Sequence, residues 1–368
     1  MKKVFLFAAV AFGLLSCVQS PEAAFEKDIE ALRDSLDNAG LAVVVVKDNQ
    51  IVYHHEFGYS DLELRTPLRE DNLYRIASIS KSFSATSMMQ LIEKGLVTLD
   101  TDVSTLAGFP IRNPKYPDTV ITLEMLLSHT SSLNDSEGYF VLDVINPETN
   151  PDWANCYNDY EPGTGYEYCN LNFNLVGTFI EKLSGERFDQ YVVHHVLEPL
   201  GLYGGYCVDS LDASRFAKLY NLEDGKMTEQ KDAYAPRSER IANYRFGYDT
   251  PVFSPTGGMK ISACDLARYM MMHMGWGLLR MAPSSFPRPL PAVCRPLARS
   301  PSTTAWPCGT ITTRFRAWNW WGTLAAPMVS AVLCSGLRTV PSAWSASPPA
   351  PTAITRTSRV ESWKAPCS

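Results

Sequence analysis

Apolar residues Phe25, Ile29, Leu32 and Leu36 recur at intervals of three and four in a polar stretch, which predicts an amphipathic helix over residues 22–38, ended by Asn38-Ala39-Gly40. Residues 41–47 form a β-branched run. Lys47-Asp48-Asn49-Gln50 is polar turn material, and residues 51–57 read as a second strand, so the pair predicts a hairpin. The pattern returns to a helical period through Met88, Leu91 and Ile92 and stops at Gly95. Met270, Met271 and Met272 read as core residues.

The N-terminus has a different pattern. Lys2 and Lys3 precede an apolar run over residues 4–15, followed by Ser16 and Cys17. A basic flank, a short apolar core and small residues predict a secretory signal over residues 1–16. Leu14-Leu15-Ser16-Cys17 resembles the bacterial lipobox, which implies lipidation of Cys17 and a tether over residues 17–24. The expectation is an exported lipoprotein facing the periplasm, held by acyl chains rather than by a spanning helix. No later apolar run reaches membrane-span length.

Composition changes abruptly near Gly275. Beyond Asp265 the only acidic residue is Glu361, and every tryptophan except Trp153 lies past Gly275. Arg, Pro, Ser, Cys and Trp dominate the tail without a sustained helical or strand period. A disordered tail would be poor in Trp and Cys. A folded domain with one carboxylate would be unusual. Translation in the wrong frame accounts for both features, so residues 25–274 are read as an incomplete domain and residues 275–368 as an out-of-frame tail with no native fold.

The 368 residues suffice for a full core. A formal net charge of -6 argues against a nucleic-acid partner. Among the nine cysteines, Cys156, Cys169, Cys207 and Cys264 lie in the body of the chain, and a Cys156–Cys169 disulfide is conceivable in an exported protein. No Cys or His spacing matches a metal site, and no motif asks for a cofactor. His54-His55 and His194-His195 read as surface or structural pairs.

Two short motifs carry chemistry. Ser78-Ile79-Ser80-Lys81 is S-x-x-K; with Ser78 opening a helix, the two side chains share a face, and a lysine of lowered pKa can accept the serine proton. Tyr166-Glu167-Tyr168-Cys169-Asn170 holds Y-x-N: a tyrosine between serine and lysine can relay protons, and an asparagine can hold a substrate amide or the lysine.

Together these motifs resemble the serine β-lactamase and penicillin-binding protein superfamily, in its class C β-lactamase-like branch. In chain order, Leu126-Leu127-Ser128-His129-Thr130-Ser131-Ser132-Leu133 is similar to the family's L-L-x-H-T-S-G-L, with Ser132 where glycine is usual, and residues 171–184, capped by Gly185, resemble the family's helix after Y-x-N. Ser254-Pro255-Thr256-Gly257-Gly258-Met259, Ser262 and Asp265-Leu266-Ala267-Arg268-Tyr269 are similar to its G-G-[LM]…S…D-L-A-R-[FY] stretch. The resemblance implies an α/β fold of the β-lactamase/transpeptidase type, a mostly antiparallel sheet flanked by helices beside an all-helical subdomain. It implies that Ser78 is acylated, that Lys81 and Tyr168 share base and acid duty, and that Asn170 positions substrate. The family treats the His129 segment as structural. D-alanyl peptides, β-lactams and esters are all substrates such residues can cleave; a non-catalytic envelope lipoprotein is the alternative.

The family's third motif, K-T-G or H-[TS]-G, is absent as written: no histidine follows His273, and Lys364 is followed by Ala365-Pro366. In the shifted frame, with permitted codons, Trp321-Gly322-Thr323-Leu324-Ala325-Ala326-Pro327-Met328-Val329-Ser330 can encode G-H-T-G-S-A-Y-G-L. Thr303-Thr304-Ala305-Trp306-Pro307-Cys308-Gly309 can encode Y-G-L-A-L-W-H. The chain as written is therefore expected to be inactive, with an unpaired sheet edge where the last strands belong.

Overall fold

In the computed structural model the described residues are 20–274, together with the backbone of 330–335. Cys17, the signal segment and nearly all of the tail, including the segment matched to the third motif in the shifted frame, lie outside them.

Helix α1 (Pro21–Ser35) opens where the sequence supplies a cap: the Ser20 hydroxyl accepts the Ala23 N–H at 3.1 Å, and Pro21 takes the first turn. It ends three residues before the predicted stop. Its stripe is only partly covered. Ile29 packs on Leu41, Val43 and Phe57, and Phe25 meets Tyr53 edge-on at 5.3 Å, while Leu32 and Leu36 stay about half exposed.

The predicted hairpin is present as β1 (Gly40–Lys47) and β2 (Gln50–Asp61). Asp48 and Asn49, at φ 51° and 59°, make its two-residue turn, a conformation that short polar side chains tolerate better than most. Alternation splits β1 between two layers. Leu41 and Val43 face α1; Ala42, Val44 and Val46 face the main core. The antiparallel sheet runs β3 (Thr66–Pro67), β2, β1, β9 (Ser330–Ser335). The register of β9 against β1, from Gly40 opposite Ser335 to Val45 opposite Ser330, pairs the edge that the sequence left open.

A second small sheet, β4 (Tyr74–Arg75), β8 (Lys260–Ile261) and β5 (Gly204–Gly205), leads into α2 (Ser80–Glu93). Short helices α3 (Val103–Ala107) and α4 (Leu123–Leu127) precede the buried α5 (Asn170–Ser184), which Gly185 ends at φ 73°. Helix α6 (Phe188–Val192), the hairpin β6 (Tyr220–Glu223) and β7 (Lys226–Glu229), helix α7 (Ser238–Ala242) and helix α8 (Ala263–Met274) complete the described chain. Met270, Met271 and Met272 are buried, as their pattern predicts. Among the described residues no helix is long and apolar enough to cross a membrane.

Helix α5 runs through the helical layer against α2 and α4, burying Leu171, Leu175, Val176, Phe179 and Ile180. Each such side chain contributes roughly 1.5–3 kcal/mol on burial. A Cβ on Gly177 would stand 2.3 Å from Pro255 Cγ, so only glycine lets the 250–256 segment lie this close to α5. That contact carries Thr256 to the start of α2.

Candidate active site

Ser78 sits in a single 3₁₀ turn, Ala77–Ile79, between β4 and α2. The α-helix therefore opens two residues after Ser78 rather than at it. The preceding Ala77 has φ 46°, a left-handed conformation that a residue with a Cβ adopts at a cost of about 1 kcal/mol or more. Neighbouring bonds hold this turn. Met259 N–H donates to Ser80 Oγ at 3.0 Å, Ser84 Oγ to the Pro255 carbonyl at 2.8 Å, and Tyr206 Oη to the Ser80 carbonyl at 2.6 Å. Ser78 itself is exposed, whereas Lys81, one turn inward, is buried.

The S-x-x-K and Y-x-N residues converge. Lys81 Nζ lies 3.3 Å from Ser78 Oγ, 2.7 Å from Tyr168 Oη, 2.8 Å from Asn170 Oδ1 and 3.0 Å from the Thr256 carbonyl. Tyr168 Oη donates to Ser78 Oγ at 2.7 Å, closing a triangle. Asn170 Oδ1 and the Thr256 carbonyl can only accept. A neutral amine at Lys81 thus turns both N–H bonds toward them and its lone pair toward the two hydroxyls. Burial lowers the Lys81 pKa to about 7, against the opposing pull of Asp135 and Cys169. Burial raises that of Tyr168, so the phenol stays protonated in neutral solution.

Two residues to which the sequence assigned no role complete the arrangement. Asp135 accepts from Asn170 N–H at 2.9 Å, Leu171 N–H at 3.0 Å and Asn170 Nδ2 at 2.8 Å, so one carboxylate both caps α5 and fixes the Asn170 amide. Thr256 Oγ1 donates to Asn170 Oδ1 at 2.8 Å. Thr256 belongs to a quoted motif. Asp135 follows the L-L-x-H-T-S-S-L segment closely, but the helix it caps starts 35 residues later, beyond the reach of a local capping signal.

His129 Nδ1 accepts the Cys169 N–H at 3.2 Å, so in its neutral form the ring carries its proton on Nε2. Burial, then the charge of Lys81, lowers its pKa to about 4. Its ring packs on those of Tyr168 at 4.7 Å and Phe173 at 5.3 Å. Ser132, where the resemblance leads one to expect glycine, has φ 63°. Its hydroxyl accepts from Asn113 Nδ2 at 3.0 Å, a bond glycine could not make.

The other candidates lie apart. His55 stacks with Tyr53 and Phe57 on the α1 face, and His194 and His195 both bind Glu186. Cys156, Cys169, Cys207 and Cys264 are buried free thiols, so the conceivable Cys156–Cys169 bridge is not formed: Cys169 Sγ donates to Asp135 Oδ1 at 3.3 Å and Cys156 Sγ to the Val144 carbonyl at 3.4 Å. A depression of about 560 Å³ beside the β6–β7 hairpin contains Lys218, neutralised by Asp61, Glu63 and Glu229, and shares no residue with the Ser78 site.

A family model described as Beta-lactamase matches residues 25–334, continuing past the change in composition. Among curated proteins, a penicillin-binding protein of Bacillus subtilis is 29% identical over 226 residues, which is 58% of this chain and 43% of that protein. Esterase EstB of Burkholderia gladioli is 28% identical over 198 residues, half of each chain. The chain thus spans about half the length of these relatives. Among solved structures, the octameric penicillin-binding protein homologue from Pyrococcus abyssi superposes with a TM-score of 0.56 at 27% identity, over 69% of this chain and 56% of that one.

Proposed function

The chain belongs to the beta-lactamase family, and on that premise we propose that Ser78 is the nucleophile of an acyl-enzyme hydrolase acting on an amide, β-lactam or ester carbonyl. The observation that carries this reading is the position of Lys81 Nζ, within hydrogen-bond reach of both Ser78 Oγ and Tyr168 Oη while two pure acceptors hold its protons.

Acylation begins as Ser78 Oγ attacks the carbonyl carbon. With the Tyr168 hydroxyl turned from Ser78 toward Lys81, the serine proton passes to Tyr168 Oη as the phenol proton passes to Lys81 Nζ, so the lysine ends as ammonium and the tyrosine is restored. The carbonyl oxygen becomes an oxyanion, favoured at Ser78 N–H by the start of α2. The relay then runs backward to protonate the leaving group as the acyl bond breaks. Water attacks the ester and gives its proton to the same relay, regenerating Ser78. Asn170 Nδ2 spends one proton on Asp135 and keeps the other for a substrate carbonyl.

The reading extends to the tail. We propose that residues 275–368 are out of frame, which would remove the strand carrying the second oxyanion donor. The break in composition and the two recoverable motifs support it. Against it stand the family match to residue 334 and the pairing of β9 with β1. Loss of one oxyanion donor costs on the order of a hundred- to a thousand-fold in rate. Acylation and deacylation both pass through an oxyanion, so both steps would slow and the chain as written would show no sustained turnover. Resequencing the gene from the codon of Asp265 to the stop decides it: one base separating this frame from one encoding H-T-G supports the reading, and a shifted frame spelling neither motif refutes it.

We further propose export and lipidation at Cys17, on the strength of the lipobox-like segment. Substrates would be small molecules or peptidoglycan-type peptides. Substrate class is tested by comparing a chromogenic cephalosporin, a D-alanyl-D-alanine peptide and a simple ester on the in-frame chain and on the chain as written. Turnover of one of them by the in-frame chain supports the function. Hydrolysis that persists in Ser78→Ala contradicts it.

A further inference from the structure

The sheet face that buries Ala42 and Val44 on β1 does not stay apolar on β2. Register places His54 opposite Val44 and Glu56 opposite Ala42, so both polar side chains stand on the core-facing side. His54 is exposed there and Glu56 half-buried, so the polar pair lies at the open margin of that face. Two further groups meet them there. Glu70 comes from the loop between β3 and β4, and Cys264 from the first turn of α8, its thiol buried at 2% exposure. Ligand atoms of His54, Glu70 and Cys264 all lie within 4.8 Å of one another. Glu56, electrostatically coupled to both His54 and Glu70, has an oxygen buried with no hydrogen-bond partner.

We propose that His54, Glu70 and Cys264, with Glu56 as fourth ligand, form a zinc site that clamps β2 and the 68–73 loop onto α8. Nitrogen, sulfur and carboxylate oxygen are the donors zinc takes, in a tetrahedron of four. Bond lengths of about 2.0–2.3 Å place tetrahedral ligands roughly 3.3–3.8 Å apart, so drawing His54, Glu70 and Cys264 together from within 4.8 Å asks for side-chain adjustment. The ion would neutralise two carboxylates and hold the Cys264 thiolate, releasing the thiol proton. Local spacing could not reveal this site, because its ligands come from three separate elements. It shares no residue with the Ser78 centre, so the ion's role is structural: it fastens β2, whose outer side β3 pairs only briefly.

The test uses the purified full chain, stripped of metal and titrated with cobalt(II) and then zinc(II). One cobalt per chain with thiolate-to-cobalt charge-transfer absorption, displaced by one equivalent of zinc that raises the melting temperature, is the expected result. His54→Ala and Glu70→Gln, both at exposed positions, should each weaken zinc binding by at least about tenfold. No stoichiometric metal, affinity unchanged in both variants, or a thiolate band that survives Cys264→Ser would overturn the proposal.

Discussion

Lys81 Nζ lies 2.7 Å from the hydroxyl of Tyr168, and that hydroxyl lies 2.7 Å from Ser78 Oγ. The three groups form one proton path: Ser78 and Tyr168 are exposed and Lys81 is buried at its inner end. Its direction follows from the environments of its ends. Burial makes Lys81 a base near neutral pH and keeps Tyr168 a neutral phenol.

The rate of Ser78 acylation should therefore rise with pH through about 7, as Lys81 loses its proton, and level off above. Single-turnover acylation measured from pH 5 to 9 checks this. A flat profile would remove Lys81 as the proton acceptor.

Tyr168→Phe keeps the ring packed on His129 but breaks the relay. It should slow acylation by roughly a hundredfold or more, in the range of general acid–base contributions, and leave the melting temperature nearly unchanged. Quench-flow kinetics alongside a thermal melt separates the two effects.

Asp135→Ala removes a charge that raises the Lys81 pKa, together with the cap of α5. The acid limb of the pH profile should move to lower pH. Stability should fall by about 1–2 kcal/mol, the usual cost of a lost cap. A limb that does not move would confine Asp135 to capping.

Gly177→Ala would press a methyl group against Pro255 and displace the Thr256 carbonyl from Lys81. Overpacking of this kind costs typically 1–3 kcal/mol. A denaturant melt reads the loss, and a slower acylation rate reads the displaced carbonyl.

Two buried lysines set the pH dependence of stability. Lys81 and Lys260 have pKa values lowered to about 7 by burial, against 10.5 when unfolded. Above pH 7 the unfolded chain binds more protons than the folded one at these sites, so their contribution to stability rises with pH. Cys156 and Cys264 act in the opposite sense above pH 9, because burial raises their thiols to about 11 and about 12. Stability of the metal-free chain should rise from pH 7 and level off only above pH 9, and Lys260→Met should flatten the rise. Urea titrations across that range check it.

What the sequence revealed was local. Three-residue spacing placed Ser78 and Lys81 on one face, β-branched alternation marked the hairpin, and Gly185 marked the end of α5. Contacts between distant segments were out of its reach. Nothing near Asp135 announces that it caps a helix 35 residues on, and nothing near His54 announces Cys264. The N-terminal stripe was legible as a pattern, but its coverage depends on the width of the hairpin beneath it, which leaves Leu32 and Leu36 half exposed. A Cys156–Cys169 bridge is conceivable in an exported protein, but the fold gives each thiol a different acceptor.

The central claim is tested most directly by labelling the full chain with a fluorophosphonate and locating the adduct by mass spectrometry. One adduct on Ser78, absent in Ser78→Ala and formed at least about a hundredfold more slowly in Lys81→Ala, is the predicted result. An unlabelled Ser78, or a labelling rate that Lys81→Ala leaves unchanged, would contradict it.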